Sequence, residues 1–142
     1  TKEFIKKNGE FTVNIALIHQ QKPIAGVVYA PALKWMYYGS SNTGAYLIKD
    51  AQEKQKLNIK KSNQVRFIVA SRSHLNEQTK QFMNNYPDAE IISMGSSLKF
   101  MLVAENRAQL YPRFSPTMEW DTAAAQAIVE AAGGTVISYP DN

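Results

Sequence analysis

An α/β fold, α+β in its overall arrangement, is what this sequence predicts: the end of an antiparallel sheet followed by an alternating α/β subdomain. Three observations carry that reading. Up to Lys49, short runs of β-forming residues are separated by tight turn signals, and short connections favour antiparallel neighbours. A polar, lysine-rich stretch then interrupts the pattern. Beyond it, strand-like and helix-like segments alternate, as they do in layered α/β architectures.

In chain order, residues 11–18 alternate partly and are rich in β-formers (Phe11, Val13, Ile15, Leu17), so a first strand is expected. Gln20-Gln21-Lys22-Pro23 reads as a turn. Strands follow at 24–29, ended by Ala30-Pro31, at 35–38, stopped by Gly39-Ser40-Ser41-Asn42, and at 44–48. The polar stretch 49–63 has room for a short strand at 56–59. The alternation then predicts strand 65–70, helix 76–85, strand 90–93, helix 97–105, strand 109–111, helix 122–132 and strand 135–138. Helix 97–105 aligns Leu98, Met101 and Leu102 on one face. In the last helix Ala124, Ala127, Ile128 and Ala131 form a narrow stripe suited to close packing, and Gly133 is placed to end it in the left-handed conformation. Residues 1–50 are thus the tail of an antiparallel-sheet subdomain, 51–63 a polar connection, and 64–142 an α/β subdomain.

Composition narrows the function. The chain has 142 residues, 44% hydrophobic and 20% charged, ordinary values for one globular unit. It has no cysteine, which removes disulfides and thiolate metal sites and fits a reducing compartment. No apolar run approaches the ~20 residues of a membrane span, so no transmembrane segment is expected. A net charge of +4 suits an anionic ligand. The lysines gathered between Lys49 and Arg66 have little aromatic interleaving and read as a solvated connection rather than a nucleic-acid surface. Thr1 enters patterned sequence at once and Tyr139-Pro140-Asp141-Asn142 follows directly on a predicted strand, so the chain reads as a piece of a longer protein.

The chemistry-bearing stretch is 111–134. Pro112 and Pro116 hold an extended approach, an acidic and aromatic turn Glu119-Trp120-Asp121 follows, and then the alanine-rich helix. Asp121 stands where that helix is expected to begin. It can cap the first turn, or hold a divalent cation between protein and phosphate beside the positive end of the helix. Gly95-Ser96-Ser97-Leu98-Lys99 opens another helix and offers N–H groups, hydroxyls and a cation to an anion, with an ordinary serine cap as the plainer alternative. Arg113 can grip a phosphate or stack on a base, or lie on the surface. His74, in the loop Ser71-Arg72-Ser73-His74 at the carboxyl end of a strand, can donate to a ligand or simply face solvent. There is no Gly-x-Ser-x-Gly elbow and no His-Glu-x-x-His helix. Metal-assisted phosphate hydrolysis needs more carboxylates than Asp121 and Glu119 supply.

Four stretches carry a family resemblance. They are Thr1-Lys2-Glu3-Phe4-Ile5 with Asn8-Gly9-Glu10-Phe11-Thr12-Val13-Asn14-Ile15-Ala16-Leu17, then Gly26-Val27-Val28-Tyr29-Ala30-Pro31, Gly95-Ser96-Ser97-Leu98-Lys99-Phe100, and residues 110–134. In the last, Trp-Asp-x-Ala-Ala followed by Ala-Gly-Gly is highly specific. With these the chain resembles the C-terminal portion of the CysQ-type 3′(2′),5′-bisphosphate nucleotidases, in the lithium-sensitive, inositol monophosphatase-like superfamily of metal-dependent phosphatases. The resemblance implies a layered αβαβα sugar-phosphatase architecture and Mg²⁺-dependent removal of the 3′-phosphate of adenosine 3′,5′-bisphosphate, a by-product of sulfate assimilation, to give AMP. It implies that Thr1 closes an Asp-Pro-Leu/Ile-Asp-Gly-Thr motif and helps orient or deprotonate the metal-bound water, and that Asp121 is the metal ligand from this half. His74, Ser96, Lys99 and Arg113 are implied to contact the nucleotide. The remaining metal carboxylates would come from a preceding N-terminal segment. A cytoplasmic protein, at most peripheral at the inner membrane, is implied. An inositol or sugar monophosphatase of the same superfamily, or a non-catalytic nucleotide- or anion-binding piece, are the alternatives.

Overall fold

A computed structural model describes residues 2–71 and 75–138. Helix α1 (Lys2–Ile5) precedes a five-stranded antiparallel meander, β1 (Val13–His19), β2 (Lys22–Ala30), β3 (Trp35–Ser40), β4 (Gly44–Lys49) and β5 (Gln55–Leu57), in that spatial order. Then come β6 (Phe67–Ala70), α2 (Glu77–Met83), β7 (Glu90–Ser93), α3 (Leu98–Ala104) and α4 (Glu119–Ala131), with β6 and β7 parallel. The mixed α/β class and the alternation after the meander agree with the sequence reading.

Period-two alternation decides which side chains meet the helices. Ala16, Gly26, Gly39 and Ala45 stand in one cross-strand row, and Val28, Tyr37 and Leu47 in the next. These two rows and Leu57 face α3 and α4, and with Leu98, Met101, Ala124, Ala125, Ile128 and Val129 they form the main core. Full burial of a Leu, Met or Ile of this kind contributes about 1.5–3 kcal/mol. The opposite face of the sheet carries Val13, Tyr29, Met36 and Ile48 in one row and Ile15, Val27, Tyr38 and Tyr46 in another. Val13, Ile15 and Leu17 are exposed there. A smaller cluster, Val69, Leu102 and Ala108, joins β6 to α3.

Close approach sets the position of α4. At Gly26 a Cβ would lie 2.3 Å from the carbonyl oxygen of Ala124 and 2.8 Å from its Cα, so helix and strand touch backbone to backbone. The helix ends in a Schellman turn: Gly133, at φ +96°, donates to Glu130 O at 3.0 Å, and Gly134 donates to Val129 O at 2.9 Å. Ile59 N–H donates to the carbonyl of Ala132 at 2.8 Å, pinning that end to the chain beyond β5.

Several local expectations are corrected. The first turn is Gln20-Gln21 alone, both residues at positive φ, and Lys22 and Pro23 already belong to β2. Pro23 is tolerated because it sits opposite the register shift between Leu17 and Ile18. The expected strand at 109–111 is reduced to a single parallel bridge between Leu110 and Ile68. The expected strand at 135–138 does not form, and those residues are irregular. Helix α1 was not foreseen, being too short to show a period.

Candidate active site

Residues 111–118 form no regular element on the approach to α4, and the helix begins earlier than expected. Met118 is the N-cap residue, extended at φ −99° and ψ 148°, with no side-chain cap, and Asp121 is the third helical residue. Its own N–H donates to Met118 O at 3.0 Å in a tight first turn. The capping role expected of Asp121 is therefore not taken up. The start moved because Glu119 and Trp120 are compatible with helix and nothing after Pro116 forbids it. Asp121 and Glu119 both lie in the first turn, exposed, where the helix dipole favours negative charge. Among the described residues, no hydrogen bond or ion pair engages the Asp121 carboxylate.

Gly95, Ser96 and Ser97 form the turn into α3, with Ser96 left-handed at φ +49°. A non-glycine residue held there stores about 1 kcal/mol, and three sets of contacts maintain it. Glu10 Oε2 accepts the Gly95 N–H at 2.7 Å. Lys99 Nζ donates to the carbonyls of Ser96 at 2.8 Å and Met94 at 3.3 Å. The Ser97 hydroxyl donates to Asn14 Oδ1 at 2.7 Å. A serine hydroxyl has one proton, so Thr12 is the donor in its 2.8 Å bond to Ser97. Asn14 Nδ2 donates back to Thr12 at 3.2 Å, closing a ring of three side chains. The Ser97 side chain makes no cap bond, so the plain serine-cap reading of this segment is corrected: the ring claims its hydroxyl.

Lys99 is only 6% exposed. A buried ammonium is tolerated when carbonyls replace its water, and here it also stands 5.9 Å from the ring centre of Tyr111. Burial pushes the Tyr111 hydroxyl above the usual tyrosine range, and Arg113 beside it partly offsets that. Arg113 Nη2 donates to Pro116 O at 3.1 Å, while its Nε and the Ser115 hydroxyl are buried with no hydrogen-bond partner. Buried polar atoms of this kind are uncommon and mark places where a ligand or water completes the set. Ser96, Lys99, Tyr111 and Arg113 thus form one connected group, and no hydrogen bond, ion pair or ring contact joins Asp121 to it. Thr1 and His74 lie outside the described residues. Among the described residues no group of three His, Asp or Glu side chains could hold a metal ion. A magnesium ion binds through one or two carboxylates and keeps several waters, so the exposed Asp121 fits as one ligand of such an ion.

Sequence reasoning missed Glu10, Thr12 and Asn14. Their partners are 83 to 85 residues away, and no local pattern announces a contact of that range.

The sequence model of the inositol monophosphatase family matches residues 1–142. The 3′(2′),5′-bisphosphate nucleotidase CysQ of Salmonella typhimurium is 51% identical over 141 residues, covering 96% of this chain and 54% of that protein. Its counterpart in Escherichia coli is 49% identical, with the same coverage. The crystal structure of CysQ from Bacteroides thetaiotaomicron superposes with a TM-score of 0.83 at 43% identity, over 93% of this chain and 55% of that one. Mycobacterium tuberculosis SuhB shares the fold, with a TM-score of 0.81 at 20% identity, over 96% of this chain and 58% of that one. The chain spans about half the length of the curated relatives it matches. By the match along its whole length, it belongs to the inositol monophosphatase family.

Proposed function

We propose that this chain supplies part of the active site of a Mg²⁺-dependent phosphomonoesterase that hydrolyses the 3′-phosphate of adenosine 3′,5′-bisphosphate to AMP and phosphate. The observation that carries the reading is the exposed, unengaged Asp121 carboxylate on the first turn of a helix locked against the sheet. The names of the relatives that are about half identical to the chain support the choice of substrate. Further metal carboxylates are contributed from outside this chain, a point supported by the half-length coverage and by the lack of a three-acid cluster among the described residues.

Asp121 would be one ligand of the ion, and the helix dipole behind it favours phosphate. When bound, Mg²⁺ lowers the pKa of the attacking water and stabilises charge on the leaving oxygen. Thr1 orients that water. Ser96 and Arg113 contact the nucleotide, Arg113 through the Nε that lacks a partner. Lys99 acts on the ligand through the Ser96 turn it braces as well as through its charge, and His74 contacts the nucleotide. The setting is the cytoplasm, at most at the inner-membrane surface, where the reaction clears a by-product of sulfate assimilation. No helix among the described residues is long and apolar enough to cross a membrane.

The test is Mg²⁺-dependent phosphate release from adenosine 3′,5′-bisphosphate, with inositol 1-phosphate alongside, using this chain and the longer protein that carries it. Release from the nucleotide by the longer protein supports the proposal. Release from inositol 1-phosphate in preference to the nucleotide overturns the substrate.

A further inference from the structure

We propose that Glu10 is a positioning residue for the nucleotide site, acting through the Gly95–Ser96 turn. The inference rests on the reading of Ser96 and Lys99 as ligand contacts.

Ser96 is held in a left-handed conformation that a serine does not choose by itself. The turn is therefore fixed by its surroundings, and the anchors differ in kind. The ring of Thr12, Asn14 and Ser97 fixes the residue after Ser96. Lys99 fixes the carbonyl side, through Met94 and Ser96. Glu10 fixes the amide side, through the Gly95 N–H at 2.7 Å, a length typical of a charge-assisted bond. Glu10 is itself set by Asn8, whose Oδ1 accepts the Glu10 N–H at 3.0 Å and whose Nδ2 donates to Glu10 Oε2 at 3.3 Å. Glu10 on the Gly95 N–H and Lys99 on the Met94 carbonyl hold the two ends of one peptide, so the Met94–Gly95 plane that leads into Ser96 is kept from rotating. That rotation would swing the Ser96 side chain and N–H away from any ligand they face. The Glu10–Gly95 bond also ties the segment just before β1 to the turn carrying Ser96.

The experiment is an NMR titration of this chain with AMP, the proposed product, following the Ser96 amide, with thermal midpoints measured in parallel. Glu10→Ala should weaken AMP binding by the folded protein about tenfold, since a displacement of about 1 Å in a positioned group has effects of this order or larger. Glu10→Gln keeps an oxygen to accept the Gly95 N–H and should bind within about twofold of the parent. A purely structural role would lower the midpoint of Glu10→Ala and leave the affinity of the folded fraction unchanged, which overturns the inference. Equal weakening in Glu10→Gln would assign the effect to charge and also overturn it. Failure of the parent chain to bind AMP overturns the ligand reading, and the inference with it.

Discussion

Gly26→Ala tests the packing that positions α4. The added Cβ would sit 2.3 Å from Ala124 O, 2.8 Å from its Cα and 2.9 Å from its carbonyl carbon. Those are backbone atoms in the interior of a helix, so no rotamer change relieves the overlap. To reach an ordinary contact the helix must retreat by about 1 Å, and interiors packed at crystal-like density absorb such shifts poorly. Overpacking costs about 1–3 kcal/mol. The retreat also loosens Ala125, Ile128 and Val129 from Val28, Tyr37 and Leu47, so the upper end, about 3 kcal/mol, is expected. For a chain of this size that lowers the thermal midpoint by about 10 °C. Thermal unfolding followed by circular dichroism reads it directly. Gly39→Ala is the matched control: its Cβ would meet Ala45 and Gly44 at 3.1 Å, and a loss of about 1 kcal/mol is expected. Because the obstacle at Gly26 is backbone, Ala124→Gly should not rescue Gly26→Ala. A midpoint within about 2 °C of the parent, or rescue by Ala124→Gly, would refute the reasoning.

Three further outcomes are expected. Glu105 accepts from the Tyr37 hydroxyl at 2.7 Å and from Lys49 at 2.9 Å, and Lys49 lies 4.5 Å from the Trp35 ring. Glu105→Ala strands a buried hydroxyl and a mostly buried cation and should cost about 3 kcal/mol in urea unfolding, whereas an exposed pair such as Lys34 with Asp50 should cost under about 1 kcal/mol. Burial first, and then the Glu105 charge and hydrogen bond, push the Tyr37 hydroxyl far above its ordinary value, and burial also raises Tyr111. Above about pH 10 the unfolded chain releases the Tyr37 proton while the folded chain keeps it, so stability falls as pH rises, by about 1.4 kcal/mol per unit, and Tyr111 acts in the same direction. Tyr37→Phe should reduce that slope in unfolding curves taken at several alkaline pH values, and an unchanged slope would remove Tyr37 as its source. In the longer protein, Asp121→Asn should lower Mg²⁺-dependent turnover by well over tenfold with its thermal midpoint nearly unchanged, since the side chain is exposed and unengaged. Undiminished turnover would take Asp121 out of the metal site.

What the sequence could reveal follows from the range of each determinant. The faces of α3 and α4 were legible because Leu98, Met101 and Leu102, and Ala124, Ala127 and Ile128, recur at helical spacing, and all six are buried. Gly133 ended α4 as a left-handed residue, a purely local preference. Strand β1 showed only partial alternation for a reason visible in the fold: both sheet faces carry apolar rows, so Ala16 and Ile15 look alike in sequence and face opposite ways. The start of α4 was misplaced because an acidic residue after two prolines is a good cap by type, and the backbone found an uncapped start at Met118 acceptable. Lys99 was legible as a cation offered to an anion, but not its burial against carbonyls that the Met94–Ser96 turn brings to it. At the candidate site, the residue types were legible and their supports were not.

The ring of Thr12, Asn14 and Ser97, with the Glu10–Gly95 bond beside it, has a consequence for how the protein folds. The bonds that join residues 10, 12 and 14 to residues 95 and 97 span 83 to 85 positions. Closing a loop of that length costs entropy before any contact repays it, so such contacts are slow to form and gain nothing from local helix or hairpin propensity. The meander and the helices can begin to organise from near neighbours, but the Ser96 turn acquires its left-handed geometry only when the two ends of the loop have met. Ligand-competent geometry at that turn is therefore a property of the assembled molecule, and a partly folded chain with most of its secondary structure would still lack it.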